Sequence, residues 1–168
     1  MIDQLVETSI AYLEGQVKAG ADVLQIFDSW AGSLPEPEFQ QWVVAPTAKI
    51  AGALAESHPN VPIIGFPKGA TALLEGYGQA TGVAAIGCDT SCPMHAMQAV
   101  SDAGKVAQGN LDPLLLVAGG DAMDARVDEI LQAMNGRRFI FNLGHGIVPQ
   151  TPPENVARLM KRIRGSQG

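Results

Sequence analysis

Aromatic residues are scarce in this chain, at 5%, and charged residues reach only 17%. With 46% hydrophobic residues and a mean hydropathy of +0.11, small aliphatics must fill the core, as they do in α/β folds with buried parallel strands. Only two cysteines occur, Cys88 and Cys92, too few and too close together for the disulfide framework of a small secreted domain. No apolar run approaches the roughly 20 residues of a membrane span. The opening MIDQLVETSI holds acids and none of the basic residues of a signal peptide. Cations are outnumbered, 11 Lys and Arg against 17 Asp and Glu, for a formal charge of −6. That balance argues against nucleic acid and anionic lipid as partners, though a pocket can still read a small anion. Gly-x-Gly-x-x-Gly and Walker-type phosphate loops are missing too. The expectation is a cytoplasmic globular protein, residues 1–168 forming one domain. That length falls short of the about 250 residues of a complete eightfold βα barrel.

What is present repeats: a short β-branched run, a Gly/Asp/Pro-rich loop, then a helical stretch. Residues 2–19 place Ile2, Val6, Ile10, Leu13 and Val17 on one helix face, and Gly20 ends the helix. Strands are expected at residues 23–27, 61–66, 83–87, 105–108 and 138–143. A helix follows each, with Pro46 marking a break or a fresh start and Pro153 opening a last helix that turns basic. Strands alternating with helices imply a parallel sheet with right-handed crossovers. Five βα units fit either an open doubly wound sheet or the last five units of a barrel.

In both architectures, function gathers in the loops at the carboxyl ends of the strands. His145, between two glycines after the fifth strand, could bond a ligand carboxylate or move a proton; bonding to a neighbouring carbonyl is the plainer alternative. His58 is expected in solvent and His95 in a helix first turn. Ser29 has no histidine in local reach, so hydrogen bonding suits it better than nucleophilic attack, unless it caps the next helix. Asp28, Asp89 and Asp112 could serve as acids or bases, yet aspartates capping helices after such loops are common. Cys88, Cys92 and His95 have a spacing that invites zinc without a fourth ligand; Cys88 reads better as a small apolar side chain ending a strand. Lys68 is the one cation in a strand-end loop, so arginines able to grip a polycarboxylate are not expected within this chain.

The runs Leu24-Gln25-Ile26-Phe27-Asp28-Ser29-Trp30-Ala31-Gly32, Gln108-Gly109-Asn110-Leu111-Asp112-Pro113 and Phe141-Asn142-Leu143-Gly144-His145-Gly146-Ile147-Val148-Pro149 resemble the uroporphyrinogen decarboxylase family in order and separation. The resemblance implies the C-terminal five βα units of a (β/α)8 TIM-type barrel, with the N-terminal units absent. It implies a homodimer in the full-length enzyme and removal of CO2 from the four acetate side chains of uroporphyrinogen III, giving coproporphyrinogen III in haem biosynthesis. It further implies no metal or organic cofactor, with His145 catalytic and Ser29, His145 and Phe27 in contact with the tetrapyrrole. The family's N-terminal Arg-Gln-Ala-Gly-Arg motif, its pyrrole-facing aspartate and a substrate-contacting tyrosine have no counterpart here. The loop Cys88-Asp89-Thr90-Ser91 departs from the family's usual Leu-Asp-Trp type. The chain alone is therefore expected to be catalytically incomplete. Alternatives are a zinc- and corrinoid-dependent methyltransferase of the same superfamily and a non-catalytic fragment.

Overall fold

A computed structural model describes residues 1–165. Helix α1 (Ile2–Lys18) buries Val6 and Leu13 on its apolar stripe and packs along the helix over Ala45–Ser57. Strand β1 (Leu24–Asp28) leads through a 3-10 turn to a short helix, α2 (Glu36–Phe39). A π turn at Gln40–Val44 then runs straight into α3 (Ala45–Ser57). Pro46 explains that turn. A proline ring collides with the carbonyl four residues back and offers no amide to it. The widened turn, in which the Ala45 amide reaches the Gln40 carbonyl, accommodates the ring without breaking the helix. The expected break is thus a bulge.

Strand β2 (Ile63–Pro67), α4 (Leu74–Thr81), β3 (Ala85–Gly87) and α5 (Met94–Asp102) continue the alternation. Strand β4 runs over Val106–Leu111, longer than the reading that ended it at Gln108. Gly109 and Asn110 therefore pair with β5 rather than looping out. Asp112 accepts a hydrogen bond from the Leu114 amide (2.8 Å) and caps α6 (Pro113–Ala118), the role that Pro113 behind it suggested. Gly119 separates α6 from α7 (Gly120–Ala133), and β5 (Phe139–Leu143) and α8 (Pro153–Gly165) complete the described chain.

All strand pairs are parallel and the spatial order is β1-β2-β3-β4-β5. A doubly wound sheet reverses its strand order at a switch point; this one never does. Right-handed crossovers without a reversal place every helix on one side, as in a barrel wall. The sheet also curls. In a flat sheet, three interstrand gaps would hold β1 and β4 about 14 Å apart, yet Gln108 Nε2 reaches Gln25 Oε1 at 3.4 Å across the concave side. The fold is α/β, with five units wound as in a barrel.

Alternation along each strand sorts its side chains. Leu24, Ile63, Ile86 and Ala107 face the helices and are buried with Leu54, Tyr77 and Met97 in one core cluster. A second cluster joins Leu111, Leu116, Met123, Val127 and Ile130 to Leu159 of α8, and Met94 and Phe139 pack against both. At about 1.5–3 kcal/mol for each large aliphatic side chain fully buried, this outer layer supplies most of the fold's hydrophobic stabilisation. The basic end of α8 serves the same layer: Arg158 pairs with Asp121 and Asp124, and Arg162 with Asp124 and Asp128, on α7.

Candidate active site

The inner face of the sheet carries the other half of the alternation: Gln25 and Phe27 on β1, Phe66 on β2, Gly87 on β3, Gln108 on β4 and Asn142 on β5. These residues line a hollow of about 500 Å3 with Ser29, Cys88, Leu143, His145, Gly146 and Ile147. Phe27, Ser29 and His145 thus stand around one space. Their loops begin on the sheet's two edge strands, which the curl turns toward each other. Phe27 meets Phe66 edge to face, ring centroids 5.9 Å apart, an arrangement that aromatic quadrupoles favour. It remains 67% exposed toward the hollow. The Ser29 hydroxyl caps no helix, because the following 3-10 turn has no side-chain cap. His145 is exposed, and no protein carbonyl holds its ring among the described residues. No lysine, arginine, aspartate or glutamate is among the lining residues.

Close backbone contacts hold the mouth. The Gly32 amide donates to the Lys68 carbonyl (2.8 Å), and the Lys68 amide to the Asp28 carbonyl (3.0 Å). A Cβ on Gly32 would overlap the backbone of Gly69. Gly144 likewise presses on the Asp89–Thr90 backbone, while its amide donates to the Leu111 carbonyl (2.8 Å). The glycine before His145 is therefore needed for loop-against-loop packing, not for the approach of a ligand. Around Gly146 there is open space.

Asp89 ties two of these loops together. One oxygen accepts from the Gly69 amide (2.5 Å), the other from the Ser91 amide (2.8 Å) and hydroxyl (2.5 Å). Burial works against its charge. The Ser91 hydroxyl, the Gly69 and Ser91 amides and the Lys68 ammonium outweigh that burial and hold the carboxyl below its ordinary value. Asp28 accepts from the Trp30 amide (3.3 Å) in its own turn. All three candidate aspartates thus have structural partners. Asn110, 1% exposed, donates to the carbonyls of Asp89 (3.1 Å) and Cys92 (2.6 Å), stitching β4 to the same loop.

Cys88 and Cys92 are buried and free. The neighbouring Cys92 thiol and burial push the Cys88 thiol up, away from thiolate character. His95 sits exposed in the first turn of α5, whereas His58 is half-buried at the end of α3, its amide donating to the Leu54 carbonyl (2.7 Å). Among the described residues, no group of three His, Cys, Asp or Glu side chains could hold a metal ion. The set that a thiolate-bound zinc requires is therefore not assembled there. Nor is any described helix long and apolar enough to cross a membrane.

The family model described as uroporphyrinogen decarboxylase (URO-D) matches residues 1–166. The chain belongs to the uroporphyrinogen decarboxylase family. It is 51% identical over 165 residues to the uroporphyrinogen decarboxylase of Sphingopyxis alaskensis and 54% identical over 164 residues to that of Granulibacter bethesdensis. Each match covers 98% of this chain and 48% of the relative, so the chain spans about half the length of these curated relatives. Among solved structures, a methyltransferase from Methanosarcina mazei superposes with a TM-score of 0.81 at 25% identity, over 97% of this chain and 48% of that one. A Xanthomonas albilineans dihydropteroate synthase superposes at 0.61 over 94% of this chain and 59% of its own length; at 17% identity, it speaks for the fold alone.

Gln25, Gln108 and Phe66 escaped the reading of the sequence as lining residues. A signal was there: each glutamine interrupts an otherwise apolar strand, and a polar side chain on a doubly covered parallel strand needs a partner or a hollow.

Proposed function

We propose that this chain forms one wall of the cleft in which a uroporphyrinogen decarboxylase converts uroporphyrinogen III to coproporphyrinogen III, without metal or organic cofactor. In each round, a proton adds to a pyrrole α-carbon. The bond to the carboxylate then breaks, and its electron pair flows into the cationic ring. The exocyclic carbon finally takes a proton as the ring releases one. Such chemistry asks for placement and for groups that tolerate developing positive charge. Phe27 lies against a pyrrole face, Ser29 donates a hydrogen bond to the substrate, and His145 bonds a side-chain carboxylate or carries a proton.

One observation carries the reading: in a member of this family, an aromatic side chain, a hydroxyl and an imidazole surround a single hollow of about 500 Å3. The lining has no lysine or arginine. Most charge needed to hold a polycarboxylate therefore comes from outside the five units, and the chain alone is catalytically incomplete. The proposal extends to residues 1–168 acting as one unit of a cytoplasmic homodimer with no nucleic-acid partner; the charge of −6 supports the last point.

Coproporphyrinogen formation by the purified chain, alone and mixed with the other half of a curated relative, tests this. Turnover is expected only in the mixture, and His145→Ala should lower its kcat/KM about 10²-fold. Efficient turnover by the chain alone, or a His145→Ala mixture as fast as the parent, would overturn the reading.

A further inference from the structure

Gln25 and Gln108 both line the main hollow, from opposite sides of the curled sheet. Among the described residues, the side chain of each has one hydrogen bond, and it is the same bond: Gln108 Nε2 donates to Gln25 Oε1 at 3.4 Å. A primary amide offers two N–H donors and an accepting oxygen. The pair therefore leaves the Gln108 carbonyl oxygen and the Gln25 amino group without a protein partner among those residues. Neither is a sealed polar atom of the kind that Asn110 Oδ1 is, so both open onto the hollow. Turning both amides over keeps the bond and only exchanges the ends. Either way, one carbonyl oxygen and one amino group meet whatever fills the space. Gln108 is 7% exposed, and an amide so buried and so poorly bonded costs free energy until something completes it.

The surroundings select what completes it. Phe27 and Phe66 make an aromatic wall on the same hollow, and the Phe66 ring occupies the place a Cβ on Gly87 would take. Such a wall receives the flat face of another ring. No carboxylate lines the hollow, and Asn142 gives its side-chain oxygen to the Leu143 amide (2.8 Å). The amide pair thus holds the carbonyl oxygen left for a ring N–H.

We propose that the Gln25–Gln108 pair is the hollow's receptor for a pyrrole N–H. The free carbonyl oxygen accepts from the ring nitrogen, and the second glutamine positions it. The inference deepens the tetrapyrrole reading and rests on it. An N–H on a cationic ring donates more strongly than one on a neutral ring. The contact therefore tightens when a proton adds to the α-carbon, and the pair favours the charged ring.

Two small probes isolate that contact: dipyrromethane and its doubly N-methylated derivative, which keeps the rings and lacks the N–H groups. NMR titrations follow the side-chain amide signals of the two glutamines. The parent chain is expected to bind dipyrromethane about fivefold more tightly than the methylated probe, the scale of one neutral hydrogen bond. Replacing both glutamines, Gln25→Met with Gln108→Met, keeps their length and should bring the two affinities within about twofold by weakening dipyrromethane alone. A parent chain that binds both probes alike, or a double variant that keeps the preference, overturns the N–H receptor; binding of the probes in the hollow still leaves the tetrapyrrole reading standing. If the parent chain binds neither probe, both fall. Should circular dichroism show the double variant unfolded, Gln108→Met alone decides. A preference cut to about twofold supports the receptor, and an unchanged preference overturns it.

Discussion

On its outer face the sheet turns Leu24, Ile63, Ile86 and Ala107 into the helical layer and leaves almost nothing of them to water. On its inner face, Phe27 and Ile140 stay 67% and 43% exposed. The strands are the same; only the parity of the residue differs. Parallel sheets are ordinarily covered on both faces, so the bare side is a surface kept for something other than this chain's own helices. On β1 the buried parity serves the helical layer and the bare parity faces the hollow, whereas on β2 and β3 Ile64 and Ala85 are buried on the inner parity too; substitutions on β1 can test the two faces separately.

The largest contrast is expected between two positions of β1 on opposite faces. Leu24→Ala should cost about 2–5 kcal/mol in a denaturant titration, as buried leucine truncations do, and Phe27→Ala less than about 1 kcal/mol. Equal losses would erase the distinction between the faces.

Tyr77 sharpens the picture of the outer layer. It is 1% exposed, and burial pushes its hydroxyl from 10.0 to about 12. The folded state thus keeps a proton that the unfolded chain gives up. The associated stability is complete below pH 10 and disappears as pH rises toward 12, a loss of about 3 kcal/mol. Tyr77→Phe should flatten that alkaline limb. A parent chain whose stability is level from pH 9 to pH 12 would show that Tyr77 reaches water.

Smaller effects belong to the mouth. Asp89→Ala strands the Gly69 and Ser91 amides and should cost about 2 kcal/mol, with faster amide exchange confined to those two loops. Smaller still, Gly144→Ala is expected to cost about 1–2 kcal/mol by forcing the His145 loop off the Asp89–Thr90 backbone, whereas Gly146→Ala should stay within about 0.5 kcal/mol. A reversed order would place the close approach at the wrong glycine.

Much of this fold can be read from local pattern. The stripe of Ile2, Val6, Ile10, Leu13 and Val17 marks α1, and the five β-branched runs mark the strands, because periodicity records which side of an element is buried. Strand order is a long-range property that no local pattern carries, so open sheet and barrel wall separate only once β1-β2-β3-β4-β5 is seen. The same limit explains β4. Gly109 and Asn110 look like loop residues, yet they pair with Phe141 and Asn142 of β5, a partner more than thirty positions away. Ser29 and His145 stand out because they follow strands, and Phe27 only through the family resemblance. That the Gly144 backbone would rest on Asp89, and that Gln25 would reach Gln108, depends on curl and register, which a linear reading does not contain.

A titration with uroporphyrin followed amide by amide in an NMR spectrum asks most directly whether Ser29 and His145 share a binding space. Signals of Phe27, Ser29, Phe66, Gln108 and His145 are expected to move together along one binding curve, while Asp124, Asp128 and Arg162 on the outer helices stay still. Movement confined to those outer helices, or a Ser29 that holds its place while His145 shifts, would contradict the single hollow on which the functional reading stands.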